Sequence, residues 1–300
     1  MKMIKIIKND KGSITVIFVI VLGLLLGAVG MVADYGFSVV EDIQLTNALD
    51  AAALAGAQDL DDVNKTTATV NEYLTKNGID PNTVLITFSD NNKSLKLQST
   101  ELVANRFMKY FNIDTTEIRA AVKVSINPVA AVSGMKPFGV PKKDYVKGET
   151  VVLKDGASDG EYGNFGPLAL GGTGASVFLN NSLYGYSGML TVGDIVDTEP
   201  GNMAMVINPL KQLLQDDYST FDNHPEDSLR LWIIPMIWEE DISGRDEVEI
   251  AGFAVFFVED IDKQSGNTVL TGRFVEDFVI SGTGGETQTD FGVFAAKIVE

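Results

Sequence analysis

A run of 22 residues without a charged side chain, Gly12–Ala33, most constrains what this chain can fold into. Residues 14–26 within it are almost all Ile, Val, Leu or Phe. At a rise of about 1.5 Å per residue, a helix of this length crosses a hydrocarbon core of about 30 Å. The sequence therefore predicts a transmembrane helix at 12–33 that is surrounded by membrane lipid.

The charges that flank this run predict its orientation. The preceding residues 1–11 carry one aspartate and four lysines, which are Lys2, Lys5, Lys8 and Lys11. This basic tail has a net charge of +3. Because the whole chain has a net charge of −18, the remaining residues have a net charge of −21. Because Lys and Arg are enriched in cytoplasmic segments, we expect a cytoplasmic N-terminus and a single-pass protein of the cell membrane. The acidic remainder would be extracytoplasmic, at the cell surface.

A cleaved secretory signal is the alternative to an uncleaved anchor. Signal peptides have apolar regions of about 7–15 residues that end at a site flanked by small residues. The best such site follows Gly30, with Ala28 two residues before it, whereas a site after Ala33 would have the bulky Met31 at that position. The length of the run favours the uncleaved anchor. Within it, Gly23 and Gly27 form a G-x-x-x-G pattern, which allows another helix to approach closely.

The helix is predicted to continue beyond the membrane, because residues 43–57 are rich in Ala and contain no Pro. Leu45, Leu49, Ala52 and Gly56 recur at helical spacing on one side. The opposite side is also small or apolar. We therefore expect one rod of about 45 residues, on the order of 70 Å long, covered by other protein.

The N-terminal block resembles the start of the TadE/TadG-like proteins of the tight-adherence (Flp-type) pilus system. The family's anchor ends near an Asp, matched by Asp34, and is followed by a Gln-x-x-Asn-Ala-x-Asp-Ala pattern, matched by Gln44, Asn47 and Asp50. The resemblance implies a non-enzymatic component that acts in pilus assembly or as a minor-pilin-like or tip element. Its N-terminal helix would bind other pilus or assembly proteins, through Gly23, Gly27, Asp34, Gln44, Asn47 and Asp50.

Two departures from related proteins narrow this expectation. Pilin-like members carry a Glu five residues after the Gly at the cleavage site, but five residues after Gly12 stands Ile17. Some larger members contain a von Willebrand A-like domain with an Asp-x-Ser-x-Ser metal site. Neither Asp241–Arg245 nor the residues after Asp155 match that pattern. We therefore expect neither pilin-type processing nor that metal site.

The remainder of the chain predicts an α+β fold. Residues 34–133 would combine the rod with a small pilin-like α/β unit, and residues 134–300 would form a β-rich, sandwich-like domain beyond a stretch rich in Pro and Gly. The predicted helices are Thr66–Asn77, Leu102–Phe111 and Asn208–Asp217. The predicted strands are Thr83–Phe88, Ser94–Gln98, Glu117–Ile126, Glu149–Leu153, Leu229–Trp238, Val248–Val258, Thr268–Ile280 and Phe291–Val299.

Composition excludes several kinds of chemistry. A pI of about 4.4 argues against binding to the phosphates of a nucleic acid, which requires a basic surface. The chain has no Cys and one His, His224, which excludes disulfides and cysteine-based metal sites. The glycine-rich stretch 160–174 lacks the Lys of a phosphate loop. We expect no catalytic residue, no cofactor and no resident metal, although acidic clusters at 155–161 and 259–262 leave structural calcium open. The alternative function is a surface-displayed, adhesin-like binding module on the same anchor, with an unknown ligand.

Overall fold

The computed structural model describes residues 10–143, 145–155, 163–199, 204–238, 246–264, 267–276, 278–285 and 287–299. Its α-helices are α1 (Asp10–Gly56), α2 (Val63–Lys76), α3 (Ala175–Tyr184) and α4 (Ala204–Leu214). Its strands are β1 (Val84–Ser89), β2 (Ser94–Ala104), β3 (Thr115–Val132), β4 (Phe138–Pro141), β5 (Thr150–Asp155), β6 (Gly163–Pro167), β7 (Leu190–Thr191), β8 (Ile195–Asp197), β9 (Leu231–Ile237), β10 (Glu247–Gln264), β11 (Asn267–Phe274), β12 (Phe278–Ile280), β13 (Thr283–Gly284) and β14 (Val293–Ile298). The predicted α+β class is confirmed.

The described chain forms two compact units. The first contains α1, α2, β1 and most of β2, together with β3 as far as Lys123. The second contains residues 90–94 and the chain from Val124 to Ile298. The domain boundary that the sequence predicts after residue 133 stays a prediction.

In the first unit, α1 is one unbroken helix of 47 residues, which corresponds to about 70 Å. The stripe predicted from the sequence is buried: Leu45, Leu49, Ala52 and Gly56 all lie in the core of this unit. A methyl group added to Gly56 would lie 2.6 Å from the Val70 side chain, so α2 packs closely on the end of α1. The rod and its apolar stripe are thus confirmed.

Helix α2 begins at a well-formed cap. The carboxylate of Asp62 accepts hydrogen bonds from the backbone N–H groups of Asn64 and Lys65, at 2.8 and 3.1 Å. Such a cap satisfies N–H groups that have no partner inside the helix. Asp59 lies just before it and accepts from the Thr69 hydroxyl at 2.7 Å.

The predicted helix Leu102–Phe111 is wrong. Strand β2 continues through Ala104, and only Met108–Phe111 form a short 3-10 helix. Asn112 ends this turn in the left-handed conformation with φ of 61°, as Asn readily does. The apolar spacing arises instead from side chains that a loop presents outward.

In the second unit, one sheet closes on itself. Strand β10 pairs antiparallel with β9 and with β11, and the ring continues from β11 through β5, β6 and β4 back to β9. The β4–β9 and β5–β6 pairs are parallel. From β9 onward, consecutive strands pair as antiparallel hairpins in β9–β11, whereas β12 pairs in parallel with β14.

Two apolar cores fill the second unit. One packs helix residues such as Phe178 and Leu210 against Trp232 and Phe256 of the closed sheet. The other packs Phe253 and Phe257 against residues such as Val129 from the second sheet, in which β3 is flanked by β14. This second core is the sandwich-like part of the unit.

The helices of the second unit differ from expectation. Helix α4 begins at Ala204, so Pro209 lies inside the helix rather than at its first position. Burial of Val206, Leu210 and Leu214 on one side compensates for the hydrogen bond that proline cannot donate. Helix α3 is not predicted from the sequence, because this helix follows a glycine-rich stretch.

Candidate assembly helix

From residue 14 to residue 26, the apolar part of α1 is not covered by any other part of the described chain. All of residues 14–26 are exposed, among them Phe18 at 63% and Leu24 at 70%. The helix is long and apolar enough to cross a membrane. A surface of this kind needs lipid or another protein around it.

At its end, the apolar stretch contacts a loop of the same unit, residues 105–113, which we call the aromatic loop. A methyl group added to Gly30 would lie 2.7 Å from Cβ of Phe107. One added to Gly27 would lie 3.3 Å from the ring of Phe111. The absence of side chains at these two glycines therefore lets both aromatic residues rest on the helix backbone.

Asp34 holds the aromatic loop in place. Its carboxylate accepts hydrogen bonds from the backbone N–H groups of Arg106, Phe107 and Met108, at 2.9, 2.8 and 2.6 Å. The residue is only 4% exposed. Because three donors converge on one charged acceptor, this contact is stronger than neutral hydrogen bonds of the same number.

Further contacts close the loop and fix it to α1. The Asn105 side chain donates to the carbonyl of Ile113 at 3.1 Å and accepts from the Thr116 hydroxyl at 2.9 Å. The Arg106 guanidinium lies 4.0 Å from the centroid of the Phe37 ring, a cation–π contact.

The residues predicted to act in assembly divide between the two sides of α1. Asp34 faces the aromatic loop, and Gly27 contacts Phe111 of the same chain. Gly23 lies one turn before Gly27 on the same side and has open space where a side chain would be. The other side of the helix, away from the buried stripe, carries Gln44 and Asn47, which are exposed, and Asp50, which is half-buried.

The other sequence predictions have varied outcomes. Lys2, Lys5 and Lys8 lie outside the described residues, and Lys11 lies at the start of α1. The contacts of Phe107 with Gly30 and of Phe111 with Gly27 are not predicted from the sequence. Three aromatic residues within five positions, at 107, 110 and 111, are the signal that could have indicated an exposed apolar loop.

The second unit contains no three His, Asp or Glu side chains that could jointly hold a metal ion, as far as its residues are described. In the acidic stretch 259–262, Glu259 pairs with Arg273 at 2.9 Å and Asp262 with Lys211 at 3.4 Å. The stretch 156–161 and the Asp241–Arg245 segment lie outside the described residues. Arg273 and Lys211, the partners of Glu259 and Asp262, supply part of the positive charge that a calcium ion would otherwise provide.

The single imidazole and the two tryptophans take different positions. His224 is half-buried, its Nδ1 is 2.7 Å from the Phe221 carbonyl oxygen, and its ring lies 5.3 Å from that of Phe257. The imidazole of His224 is therefore packed on the sheet. Trp232 is buried in the core, whereas Trp238 is 50% exposed.

Lys136 is an ionisable residue of the second unit whose side chain is largely buried. Its Nζ donates to the carbonyl of Leu183 at 2.8 Å and lies 5.7 Å from the centroid of the Trp232 ring. Burial lowers the pKa of Lys136 to about 8. Ser133, three residues before Lys136, is exposed and lies in a bend rather than at the start of a helix. The pair therefore lacks the helical context of a catalytic S-x-x-K motif.

The comparisons with known proteins concern the helix. Residues 12–59 match the model of a family described as Flp pilus-assembly TadE/G-like. No curated protein and no solved structure matches the chain. The matched segment contains Asp34 and the Gln44–Asn47–Asp50 pattern, and it ends where α2 packs on the rod. The N-terminal segment of this chain, residues 12–59, is therefore similar to the TadE/G-like domain of Flp pilus-assembly proteins.

Proposed function

We propose that this chain is a non-enzymatic, single-pass membrane component of a Flp/Tad-type pilus, acting in pilus assembly or as a minor-pilin-like or tip element. The family match of residues 12–59 supports a part in pilus assembly. One structural observation carries the finer proposal. Beyond the apolar stretch, α1 presents a second, uncovered face that is suited to another helix.

This face, the outer strip, consists of Val40, Ile43, Asn47 and Leu54, with Gln44 at its edge. Val40 is 50% exposed, Ile43 53% and Leu54 38%. These positions lie three or four residues apart, or multiples of that spacing, so they share one side of the helix. That side is opposite to the buried stripe of Leu45 and Leu49.

The composition of the outer strip favours a protein partner. Apolar side chains on an exported helix are costly in water unless another surface covers them. Asn47 and Gln44 can hydrogen-bond across a helix pair and so fix its register. The strip continues the exposed membrane stretch along the same rod, which supports packing against other pilus or assembly helices over a long contact.

The proposed topology places residues 1–11 in the cytoplasm and both units on the other side of the membrane. The lysine-rich tail and the acidic remainder support this orientation. The contacts of the aromatic loop support an uncleaved anchor. A cut after Gly30 would remove Gly27 and the helix turn on which Phe111 rests.

Complementation of a deletion strain tests the assembly role. The strain would be complemented with the wild-type chain, with Ile43→Glu, or with Leu85→Glu as a matched control. Leu85 is an exposed apolar residue of the same unit, 62% exposed on β1. We expect Ile43→Glu to abolish or strongly reduce pili counted by electron microscopy, at an unchanged protein level, and Leu85→Glu to restore them. Normal piliation in the deletion strain would contradict the proposal.

A cavity in the second unit favours the alternative, a surface binding module. The cavity measures about 250 Å³, and its polar lining includes three lysines, Tyr145 and one carboxylate, Asp290; the lysines are Lys142, Lys143 and Lys147. The buried Tyr145 hydroxyl has no hydrogen-bond partner among the described residues, and burial raises the pKa of Tyr145 to about 12. Lys147 lies 3.9 Å from Glu276, but three lysines against one carboxylate still leave the lining positive, which fits a ligand with a carboxylate, sulfate or phosphate group.

The two functions differ in a measurable way. Lys142→Ala together with Lys147→Ala removes positive charge from the cavity without touching α1. If the chain is a binding module, these substitutions abolish adhesion and leave pili normal in number. If it acts only in assembly, adhesion follows the pilus count in every variant.

A further inference from the structure

The aromatic loop exposes large apolar side chains that the folded unit does not need for its core. Tyr110 is 78% exposed, Phe111 60%, Phe107 48% and Ile113 45%. They lie within seven consecutive positions and project from a short 3-10 turn. A cluster of this kind on a small loop marks a contact surface.

The position of this loop along α1 indicates what the contact is. Gly30 and Gly27, on which Phe107 and Phe111 rest, lie four and seven residues before Asp34. At a rise of about 1.5 Å per residue, these glycines lie about 6 and 10 Å below the level of Asp34. Both belong to the uncharged run 12–33, so the loop reaches below the point at which the apolar run ends.

This depth corresponds to the membrane interface. Interfacial segments bury their apolar side chains about 5–10 Å into the boundary between headgroups and acyl chains. Aromatic residues are enriched at that level because their rings are apolar and a tyrosine hydroxyl stays hydrated. The loop presents two phenylalanines and a tyrosine there, beside Ile113.

The charges of the loop agree with this position. Arg106 and Lys109 are both exposed, and Lys109 Nζ lies 5.5 Å from the centroid of the Tyr110 ring. These two cations lie on either side of Phe107 in a protein whose exported part is strongly acidic. Cations beside an inserted apolar segment are attracted to lipid phosphate groups.

We propose that the aromatic loop inserts into the lipid leaflet on the Asp34 side of the membrane and forms a second membrane contact beside the helix. This inference rests on the proposed membrane anchor. Phe107 and Phe111 bind the helix on one side and acyl chains on the other, and Tyr110 lies among the headgroups. The hydrogen bonds from residues 106–108 to Asp34 set the depth of insertion.

Depth-dependent fluorescence quenching tests the insertion in the full-length chain. The chain contains no cysteine, so one introduced cysteine gives a unique labelling site. Tyr110→Cys and Ile113→Cys report on the loop, and Leu24→Cys reports on the apolar stretch of α1. Tyr73→Cys is the matched control, since Tyr73 is exposed on α2, which packs near Gly56, about 33 Å along α1 from Asp34.

Each variant would carry an environment-sensitive fluorophore and be reconstituted into vesicles of phosphatidylcholine with a minority of phosphatidylglycerol. Lipids with a quencher near the headgroup or near the chain end would be compared. We expect quenching at Tyr110→Cys and Ile113→Cys to exceed that at Tyr73→Cys by about threefold or more, and to be strongest with the shallow quencher.

The outcomes separate the loop from the anchor. If Leu24→Cys is quenched but both loop positions behave like Tyr73→Cys, the loop does not insert, and its apolar surface serves a protein partner instead. If Leu24→Cys is not quenched either, the membrane anchor itself is refuted, and the inference about the loop fails with it. Quenching of the loop by the deep quencher alone would also overturn an interfacial position.

Discussion

Replacing Asp34 with asparagine isolates the contact that holds the aromatic loop on α1. The wild-type carboxylate accepts from Arg106 through Oδ1 and from Phe107 and Met108 through Oδ2. Asparagine has the same shape, but it offers one carbonyl oxygen and one amino group. The variant therefore changes hydrogen bonding and charge while it leaves packing almost unchanged.

The geometry gives the size of the effect. If the asparagine oxygen faces Phe107 and Met108, its amino group faces the N–H of Arg106, so one of three hydrogen bonds is replaced by two opposed donors. The other two bonds lose the assistance of the negative charge. We expect local opening of the loop to become about a hundredfold more frequent in Asp34→Asn, and about a thousandfold in Asp34→Ala, which removes all three acceptor contacts.

Amide hydrogen exchange of the full-length protein in lipid nanodiscs measures this opening. Peptides that cover residues 104–114 should exchange faster in the variants, whereas peptides from α2 should not change. Glu41→Gln is the matched control, because it removes the same charge from an exposed position on α1. Equal exchange of residues 106–108 in Asp34→Asn, Glu41→Gln and the wild type would refute the reasoning.

Three further substitutions test other parts of the structure. Gly30→Ala should displace Phe107 and destabilise the loop by about 1–3 kcal/mol in thermal or exchange measurements, whereas Gly23→Ala, which meets open space, should not; equal effects would contradict the close contact. Leu49→Ala should cost about 2–5 kcal/mol of unfolding free energy in denaturant titrations, because Leu49 is fully buried. For Lys136, burial lowers the native pKa to about 8, below the unfolded value, so the unfolded state binds more protons between these values and wild-type stability rises with pH. Lys136→Met should lack this rise, which amounts to about 3 kcal/mol between pH 8 and 10.5, and an identical pH profile in both proteins would refute it.

The N-terminal helix could be predicted from the sequence in detail. Its apolar run, its Ala-rich continuation and the stripe of Leu45, Leu49 and Ala52 are local patterns with helical spacing, so each residue's neighbours along the chain contain the information. The TadE/G-like match of residues 12–59 has the same basis.

The loop that packs on this helix could not be predicted in the same way. Its conformation depends on Asp34, which lies 72 residues before Arg106 in the sequence. Without that acceptor, the spacing of Leu102, Phe107 and Phe111 indicates a helix. A similar long-range effect explains α4, where burial of Val206 and Leu210 keeps Pro209 inside a helix that local propensity would start later.

The two sets of contacts on α1 have a mechanical consequence. The aromatic loop holds the helix at residues 27–34, and α2 packs on it at Gly56, on the same side of its axis. A helix clamped at two levels cannot rotate about its axis independently of the unit that carries both clamps. The direction in which Val40, Ile43 and Asn47 point from the helix axis is therefore fixed in the unbound protein. A torque applied to the membrane part of α1 would therefore turn the whole first unit with it.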